Sequence, residues 1–394
     1  MHAGSEIPHT PAVPLVGAAD ALTPRVRGWL GRRTYAGADW DAARIRPLKG
    51  DLRVSVVLPA RNEAATIGGI VAAIADTLTG GPHPVVDEIL VVDSHSDDAT
   101  AAVARAAGAV VAHQDAIRPD LPPSLGKGDA LWKSLFAVTG DIVVFLDADV
   151  RDFTPGYVTG LLGPLLADTG LAYVKGFYDR PADPAGAAGR AGGGRVTELV
   201  ARPLLNLLAP DLAGFVQPLA GEAAGRADVL RRVPFAAGYG VEIGLLLDLY
   251  ALVGLDRLAQ VDLGVRHHRH QDLADLGAMA AQVQAAALRR VAGRRPGRAD
   301  AAHEQVRPLV QYERAAGEQR RVRVRDIRVA DRPPHDRVPP APDPAPPAPD
   351  HVPRDPDPAP PAATDAAPAP RPVPGPGGAG TGRGPGPAPV RSGA

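Results

Sequence analysis

The chain of 394 residues contains no cysteine. Disulfides, thiolate zinc centres and a cysteine nucleophile are therefore excluded. It also lacks any uninterrupted apolar run of the roughly 18 or more residues that would cross a bilayer. The longest apolar stretches are broken by Asp168 or Asp248. The formal net charge is only −1, from 43 basic and 44 acidic side chains, so no one-sided field points to nucleic acid or to a membrane surface. No basic segment followed by an apolar core and a cleavage site opens the chain. The sequence thus reads as a soluble cytoplasmic protein.

What is plentiful is glycine (44) and proline (43). The proline is unevenly spread. From Pro339 onward about every third residue is proline, mixed with Ala, Gly and Asp, a composition that cannot bury a core and is expected to be extended and disordered. Residues 1 to about 20, with Pro8, Pro11 and Pro14, carry no periodicity and are expected to be disordered as well. From Thr23 to Trp40 a basic, partly apolar segment suggests a helix or arm whose arginines are solvated. The expected divisions are an arm over 1–50, two functional segments over 51–155 and 156–334, and a tail over 335–394.

Between the ends, apolar runs and helical spacings alternate. Val54–Pro59, Glu88–Asp93, Ala109–Val111 and Ile142–Leu146 read as strands, and Thr66–Leu78, Ala99–Ala107 and Gly128–Val138 as helices. This β-α-β alternation predicts an α/β fold with a mostly parallel sheet covered on both faces. Beyond Asp149 helices dominate: Pro155–Leu166, Val196–Leu208, Ile243–Leu252 and the Ala-rich Leu273–Val291, with strand-like Leu171–Phe177 and Ala259–Val265 between them. Glu304–Pro334 is charged and weakly periodic.

The central feature is Val143-Val144-Phe145-Leu146-Asp147-Ala148-Asp149. A buried strand that ends in two carboxylates one residue apart suits a hard divalent cation, Mg²⁺ or Mn²⁺, shared with substrate phosphates. Asp is also common in plain turns, so the motif needs company. Pro59-Ala60-Arg61-Asn62-Glu63 ends the first strand and Asp93-Ser94 the second. Polar residues at three strand ends on one edge of a parallel sheet point to a nucleotide crevice.

No G-x-G-x-x-G follows the first strand, which argues against a dinucleotide site. Gly126-Lys127-Gly128 resembles half a P-loop, but Leu121 replaces the first glycine and no Ser or Thr follows Lys127, so a Walker A site is rejected. A Gly-flanked lysine beside a helix start can still meet a phosphate, or be a surface turn. Gly192-Gly193-Gly194-Arg195-Val196-Thr197 is either an anion-binding loop running into a helix or a hinge. Arg266-His267-His268-Arg269-His270 follows a strand-like stretch; continued as a strand, it places His268 and His270 on one face, where an imidazole suits the cation of Asp149, or it is simply a basic edge. Glu242, in Gly238-Tyr239-Gly240-Val241-Glu242, either accepts from a sugar hydroxyl or favours a helix N-terminus.

Together these segments resemble glycosyltransferases of the GT-A fold, and more closely the actinobacterial glucosyl-3-phosphoglycerate synthases. The resemblance runs from about Arg25 to Pro334 through VSVVLPARNE (Val54–Glu63), GKGDALW (Gly126–Trp132), Asp147–Asp149, VKGFY (Val174–Tyr178), GGRVTELVARPLL (Gly193–Leu205), GYGVEIG (Gly238–Gly244), Leu263–Arg266 and Arg332-Pro333-Pro334. It implies a Rossmann-like GT-A fold with nucleotide-sugar binding over 51–155 and a mainly helical acceptor and dimerisation region over 156–334. It further implies a homodimer that moves glucose from UDP-glucose to D-3-phosphoglycerate with retention, using Mg²⁺ or Mn²⁺. The product class leads to glucosylglycerate and methylglucose lipopolysaccharides. By the family pattern Pro59, Ala60, Glu63 and Ser94 hold the uridine; Lys127 meets the diphosphate; Asp149 and His268 ligate the metal; and Asp147 supports the ribose and the donor sugar. Glu242 contacts the glucose, and Gly194, Arg195 and Thr197 grip the phosphoglycerate; Tyr239 and His270 are further candidate substrate-binding residues. Lys127, Asp147 and Glu242 are the candidate catalytic residues.

Two departures stand out. His270 replaces an Asn of the family pattern, and Pro218-Leu219-Ala220-Gly221-Glu222-Ala223 lacks its Ser and Tyr; both bear on acceptor affinity more than on fold. The competing readings are a related transferase using GDP-mannose or glycerate, and a non-catalytic sugar-nucleotide-binding protein.

Overall fold

The computed structural model describes residues 22–124, 126–179, 194–266, 272–292, 308–314, 320–327 and 330–342. In chain order the strands are β1 (Thr34–Ala36), β2 (Val54–Ala60), β3 (Glu88–Asp93), β4 (Val110–His113), β5 (Ile142–Phe145), β6 (Tyr173–Asp179), β7 (Ala223–Arg226), β8 (Phe235–Ala236), β9 (Leu258–Val265), β10 (Leu309–Arg314), β11 (Arg320–Arg325) and β12 (Asp331–Arg332). The helices are α1 (Pro24–Arg33), α2 (Ala42–Lys49), α3 (Ile67–Ile74), α4 (Thr100–Ala106), α5 (Lys127–Ala137), α6 (Gly156–Ala167), α7 (Arg202–Leu208), α8 (Ala227–Leu230), α9 (Val241–Val253) and α10 (Leu273–Ala292).

Eight strands form one sheet in the order β1-β9-β6-β7-β5-β2-β3-β4. All neighbours are parallel except those of β7, which runs against both β5 and β6. Side chains alternate across the strands. Val57, Val143, Phe145 and Tyr173 pack on one face with Trp132 of α5, Leu249 of α9 and Val283 of α10. Val56, Leu58, Val144 and Val174 pack on the other with Ile70 of α3 and Leu161 of α6. Both faces are therefore apolar, which is why the strands read as near-continuous hydrophobic runs.

The chain runs outward from β2 through β3 to β4, then returns to lay β5 on the other side of β2. That reversal is a topological switch point, where the connections leave a crevice at the carboxyl ends of the strands. β2 ends in Pro59-Ala60, and Asp147 and Asp149 lie just past the end of β5.

The arm begins as a capped helix: Thr23 Oγ1 accepts from Val26 N–H at 3.3 Å, with Pro24 at the first position. Its arginines are not simply solvated, as the composition suggested. Arg25 pairs with Asp211 at 2.6 Å and Arg33 with Asp168 at 2.5 Å, because α1 is anchored by Trp29, whose Nε1 donates to Leu258 O at 2.8 Å. The expected Val196–Leu208 helix is broken by a π-helical turn over Thr197–Ala201. Pro203 has no N–H to give, so the ladder there must slip. The charged stretch before Pro334, weakly periodic in sequence, contains the antiparallel ribbon β10–β11.

Strands from three of the expected segments share the one sheet, since β1 precedes residue 51 and β6, β7 and β9 follow residue 155. Past Arg332 the described chain continues to Pro342, and it stays packed to Val338, beyond the expected start of the tail at 335. The reason is local. His335 stacks on Phe136 with ring centroids 3.9 Å apart, and Trp132 Nε1 donates to Pro333 O at 2.8 Å. Residues 1–21 and 343–394, where disorder was expected, lie outside the described residues.

Candidate active site

The crevice at the switch point is a cleft of about 580 Å³ lined, among others, by Pro59, Ala60, Glu63, Ser94, Lys127, Asp147, Asp149, Tyr239 and Glu242. Nine of the residues singled out from the sequence thus meet in one place, although they come from five separate stretches of chain.

The β2–α3 turn is shaped by Asn62, at φ 59°, whose Oδ1 accepts from Asp97 N at 2.8 Å. Asn tolerates this left-handed conformation better than most residues do. Glu63 N donates to Thr100 Oγ1 at 2.8 Å, and Thr66 Oγ1 donates to Ala148 O at 2.7 Å. The first-strand loop is thereby tied both to the loop carrying Ser94 and to the Asp-x-Asp turn.

Gly126 holds φ +107°, and a side chain there would press on Ala237 O at 2.8 Å. Glycine is what lets the chain turn sharply enough to place Lys127 at the first position of α5. Lys127 Nζ lies 2.5 Å from Asp147 Oδ1 and 2.7 Å from Glu242 Oε1. Burial alone would lower its pKa, but the two carboxylates hold it well above the ordinary lysine value. Burial would likewise raise Asp147; Lys127 and Arg266 overcome this and hold its carboxyl below the usual range. Lys127 and Asp147 are therefore both charged at neutral pH.

Arg266, just past β9, is the residue that sequence reasoning left without a role. Its Nη1 reaches Glu222 Oε1 at 2.5 Å, Tyr178 Oη at 2.8 Å and Asp147 Oδ2 at 3.2 Å, and its Nη2 reaches Asp149 Oδ1 at 2.7 Å. Glu222 is wholly inaccessible, and burial, opposed by Arg266, leaves its carboxyl above the ordinary value. Lys175 Nζ, also buried, donates to Ala220 O at 2.8 Å, and burial lowers its pKa to about 8. The signals were present: one charged residue inside VKGFY, and a Gly-Glu pair entering a strand. Gly221 is needed beside them, because a Cβ there would collide with Asp147 and Lys127.

A hard cation asks for carboxylate oxygens with room around them. Both Asp147 oxygens are taken by cationic side chains, and 22% of its side chain is accessible, against 51% for Asp149. Asp149 is thus the fitting ligand of the pair. His268 and His270 lie in 267–271, outside the described residues.

Gly194, Arg195 and Thr197 are not among the cleft-lining residues. Thr197 is buried and Arg195 exposed, in the segment that packs against α10, whose Met279, Gln282 and Val283 do line the cleft. Of the two departures in 218–223, Ala223 is buried in the core and paired with Phe145, and Ala220 contributes its carbonyl to Lys175. Only Leu219 of that segment lines the cleft.

A Rossmann-like GT-A sheet carrying a strand-end Asp-x-Asp and a charged array at its switch point defines a glycosyltransferase. Residues 55–188 match the model of glycosyl transferase family 2. The chain is 48% identical over 306 residues to the glucosyl-3-phosphoglycerate synthase of Mycolicibacterium smegmatis, covering 78% of this chain and 96% of that one. Among solved structures, glucosyl-3-phosphoglycerate synthase from Mycobacterium tuberculosis in complex with Mn²⁺, UDP-glucose and phosphoglyceric acid aligns with TM-score 0.64 at 43% identity, over 75% of this chain and 95% of the other. Mannosyl-3-phosphoglycerate synthase from Rubrobacter xylanophilus aligns with TM-score 0.70 at 38% identity, over 80% and 99%. The chain belongs to the glucosyl-3-phosphoglycerate synthase family.

Proposed function

We propose that this protein transfers glucose from UDP-glucose to D-3-phosphoglycerate, giving glucosyl-3-phosphoglycerate with retention at the anomeric carbon. The observation that carries the reading is the convergence of Lys127, Asp147, Asp149 and Glu242 beside Pro59, Ala60, Glu63 and Ser94 in one cleft. In it the uridine lies against Pro59, Ala60, Glu63 and Ser94. Lys127, kept protonated by its two carboxylates, puts a fixed positive charge at the diphosphate, where negative charge grows as the leaving group departs. Asp147, clamped by Lys127 and Arg266, presents an immobile ionised carboxylate to the ribose and sugar hydroxyls. Asp149 with His268 would hold Mg²⁺ or Mn²⁺, which when bound supplies Lewis-acid neutralisation of the same diphosphate.

Glu242 accepts from Lys127 at 2.7 Å. A carboxylate so engaged is a poor nucleophile and a good hydrogen-bond acceptor for a glucose hydroxyl. This supports attack by the acceptor hydroxyl on the face from which UDP leaves, with the departing phosphate oxygen taking the hydroxyl proton. Tyr239, 49% exposed at the cleft, fits the sugar side. Gly194, Arg195, Thr197 and His270 are assigned to the phosphoglycerate.

The homodimer and the cytoplasmic location belong to the same reading. Leu273 and Leu288 of α10 and Val310, Val322 and Val324 of the β10–β11 ribbon are exposed. A two-stranded ribbon rarely stands alone in water, so a second copy of this chain is a fitting cover. No described helix is long and apolar enough to cross a membrane.

The test is release of UDP from UDP-glucose by the full chain with Mg²⁺, with and without 3-phosphoglycerate. Release that requires 3-phosphoglycerate, with a glucosylated product, is expected. The likeness to the Rubrobacter mannosyl enzyme favours one second reading, a GDP-mannose donor. Faster turnover with GDP-mannose than with UDP-glucose would establish that reading instead.

A further inference from the structure

We propose that His95, His113 and Asp115 form a second cation site, suited to a borderline divalent transition metal such as Zn²⁺, at the nucleotide end of the cleft. β3 and β4 pair in register, with Asp93 opposite His113. The strand ends therefore deliver His95 and Asp115 to the same edge as His113. One potential ligand atom from each of the three lies within 4.8 Å of the others. The two imidazoles meet edge to face, with centroids 4.8 Å apart and planes at 82°.

The bonds already present do not account for the cluster. His95 Nε2 and Asp115 Oδ2 are 2.8 Å apart, and Asp115 N donates to His113 Nδ1 at 3.2 Å. Yet His95 Nδ1 and Asp115 Oδ1 are both shut off from solvent with no hydrogen-bond partner. Two orphaned polar atoms in one cluster are costly unless something else satisfies them. His95 is also held at φ 62°, a conformation that costs a non-glycine residue on the order of 1 kcal/mol or more. The His95–Asp115 pair, with 36% and 44% of the side chains accessible, contributes too little as a surface ion pair to offset that.

Two imidazole nitrogens and one carboxylate oxygen form a donor set that favours Zn²⁺, Ni²⁺ or Cu²⁺ over Mg²⁺. Three protein ligands leave a fourth tetrahedral position open. Ligands about 2.0–2.1 Å from such an ion sit about 3.3 Å from one another, so the cluster must contract, and partly exposed side chains can do so by rotation. The site is separate from Asp149: β2 lies between β3 and β5, which sets those two strands about 10 Å apart.

His95 and Gln114 line the cleft beside Ser94. Contraction around an ion would draw His95 toward β4 and reshape that wall. On the reading that this wall holds the uridine, the ion lowers affinity for UDP.

The test is calorimetric titration of the full chain with Zn²⁺ under saturating Mg²⁺, in an Asp149→Ala background so that the other cation site does not contribute. His113→Ala and Asp115→Asn, both added on that background, should each lose one equivalent of Zn²⁺ with unchanged melting temperature. His113 is exposed on an edge strand, so its loss should not unfold the protein; Asp115→Asn provides the second arm. Equal stoichiometry and affinity in parent and variants, or no binding in any, would overturn the site. In the chain with Asp149 intact, UDP affinity should fall about tenfold when Zn²⁺ is added, a loss of about 1.4 kcal/mol, and His113→Ala should abolish the fall. A lost equivalent without any change in UDP affinity would establish the site and overturn its coupling to the nucleotide. Failure of UDP to bind at all would count against the proposed function, while the stoichiometry would still decide the site.

Discussion

Arg266 Nη2 lies 2.7 Å from Asp149 Oδ1, on the carboxylate best placed to hold a cation. The same guanidinium contacts Asp147 and the buried Glu222. Arg266 thus holds the Asp-x-Asp turn in place while leaving Asp149 half in solvent. Were a divalent ion to bind at Asp149, the arginine would still have Glu222 and Asp147 as partners, so no buried charge would be stranded.

Removing the ligand should therefore remove the cation effect without unfolding the site. Asp149→Ala is expected to lower kcat by at least about a hundredfold, in line with the loss of electrostatic stabilisation at a leaving group. Excess Mg²⁺ should not restore it, and EDTA should abolish transfer by the wild-type chain. Steady-state rates with full activity in Asp149→Ala would rule out the assignment.

Arg266 should prove more important to stability than any single cleft residue. Arg266→Met leaves Glu222 buried and unpaired, a change that costs about 3–5 kcal/mol. Arg266→Met combined with Glu222→Gln removes the stranded charge and should recover much of that loss. Urea unfolding of both variants measures the difference; equal destabilisation would mean that Glu222 is not ionised in the folded protein.

Arg195 is the proposed discriminator between the two substrates. In the proposed assignment Arg195→Ala raises the KM for 3-phosphoglycerate about tenfold or more, the scale of one charge-assisted contact. Calorimetric UDP binding should be unchanged. A loss of UDP affinity would move Arg195 to the donor side.

The segment after β12 carries a pH dependence. Burial, opposed in part by the backbone contact with Trp132, lowers the pKa of His335 to about 4, against an ordinary 6.5. Between pH 6.5 and 4 the unfolded chain binds a proton that the folded chain refuses, so stability falls as the pH drops through that window. His335→Phe keeps a ring against Phe136 and has nothing to titrate. Its melting temperature should fall less steeply with acid than that of the wild type; parallel profiles would show that His335 is already protonated or solvated in the fold.

By itself the sequence determined six of the eight strands of the sheet and most of the helices that cover it, because alternation, apolar runs and Gly or Pro punctuation are local properties of the backbone; β1 and the short Ala- and Gly-rich β7 carry no such run and do not read as strands. It also placed Asp147, Asp149, Pro59 and Ser94 at strand ends, and strand ends of a parallel sheet necessarily lie on one edge. Tertiary structure alone decided the order β7-β5-β2-β3, which opens the crevice between β2 and β5. It alone decided that Lys127, 20 residues before Asp147 and 115 before Glu242, bridges the two. Arg266 was hidden for the same reason: its partners lie 44 to 119 residues away, and an arginine after a strand carries no local mark of being buried. Only the packed fold, by excluding water from Glu222 and Lys175, turns ordinary charged residues into groups whose partners are obligatory.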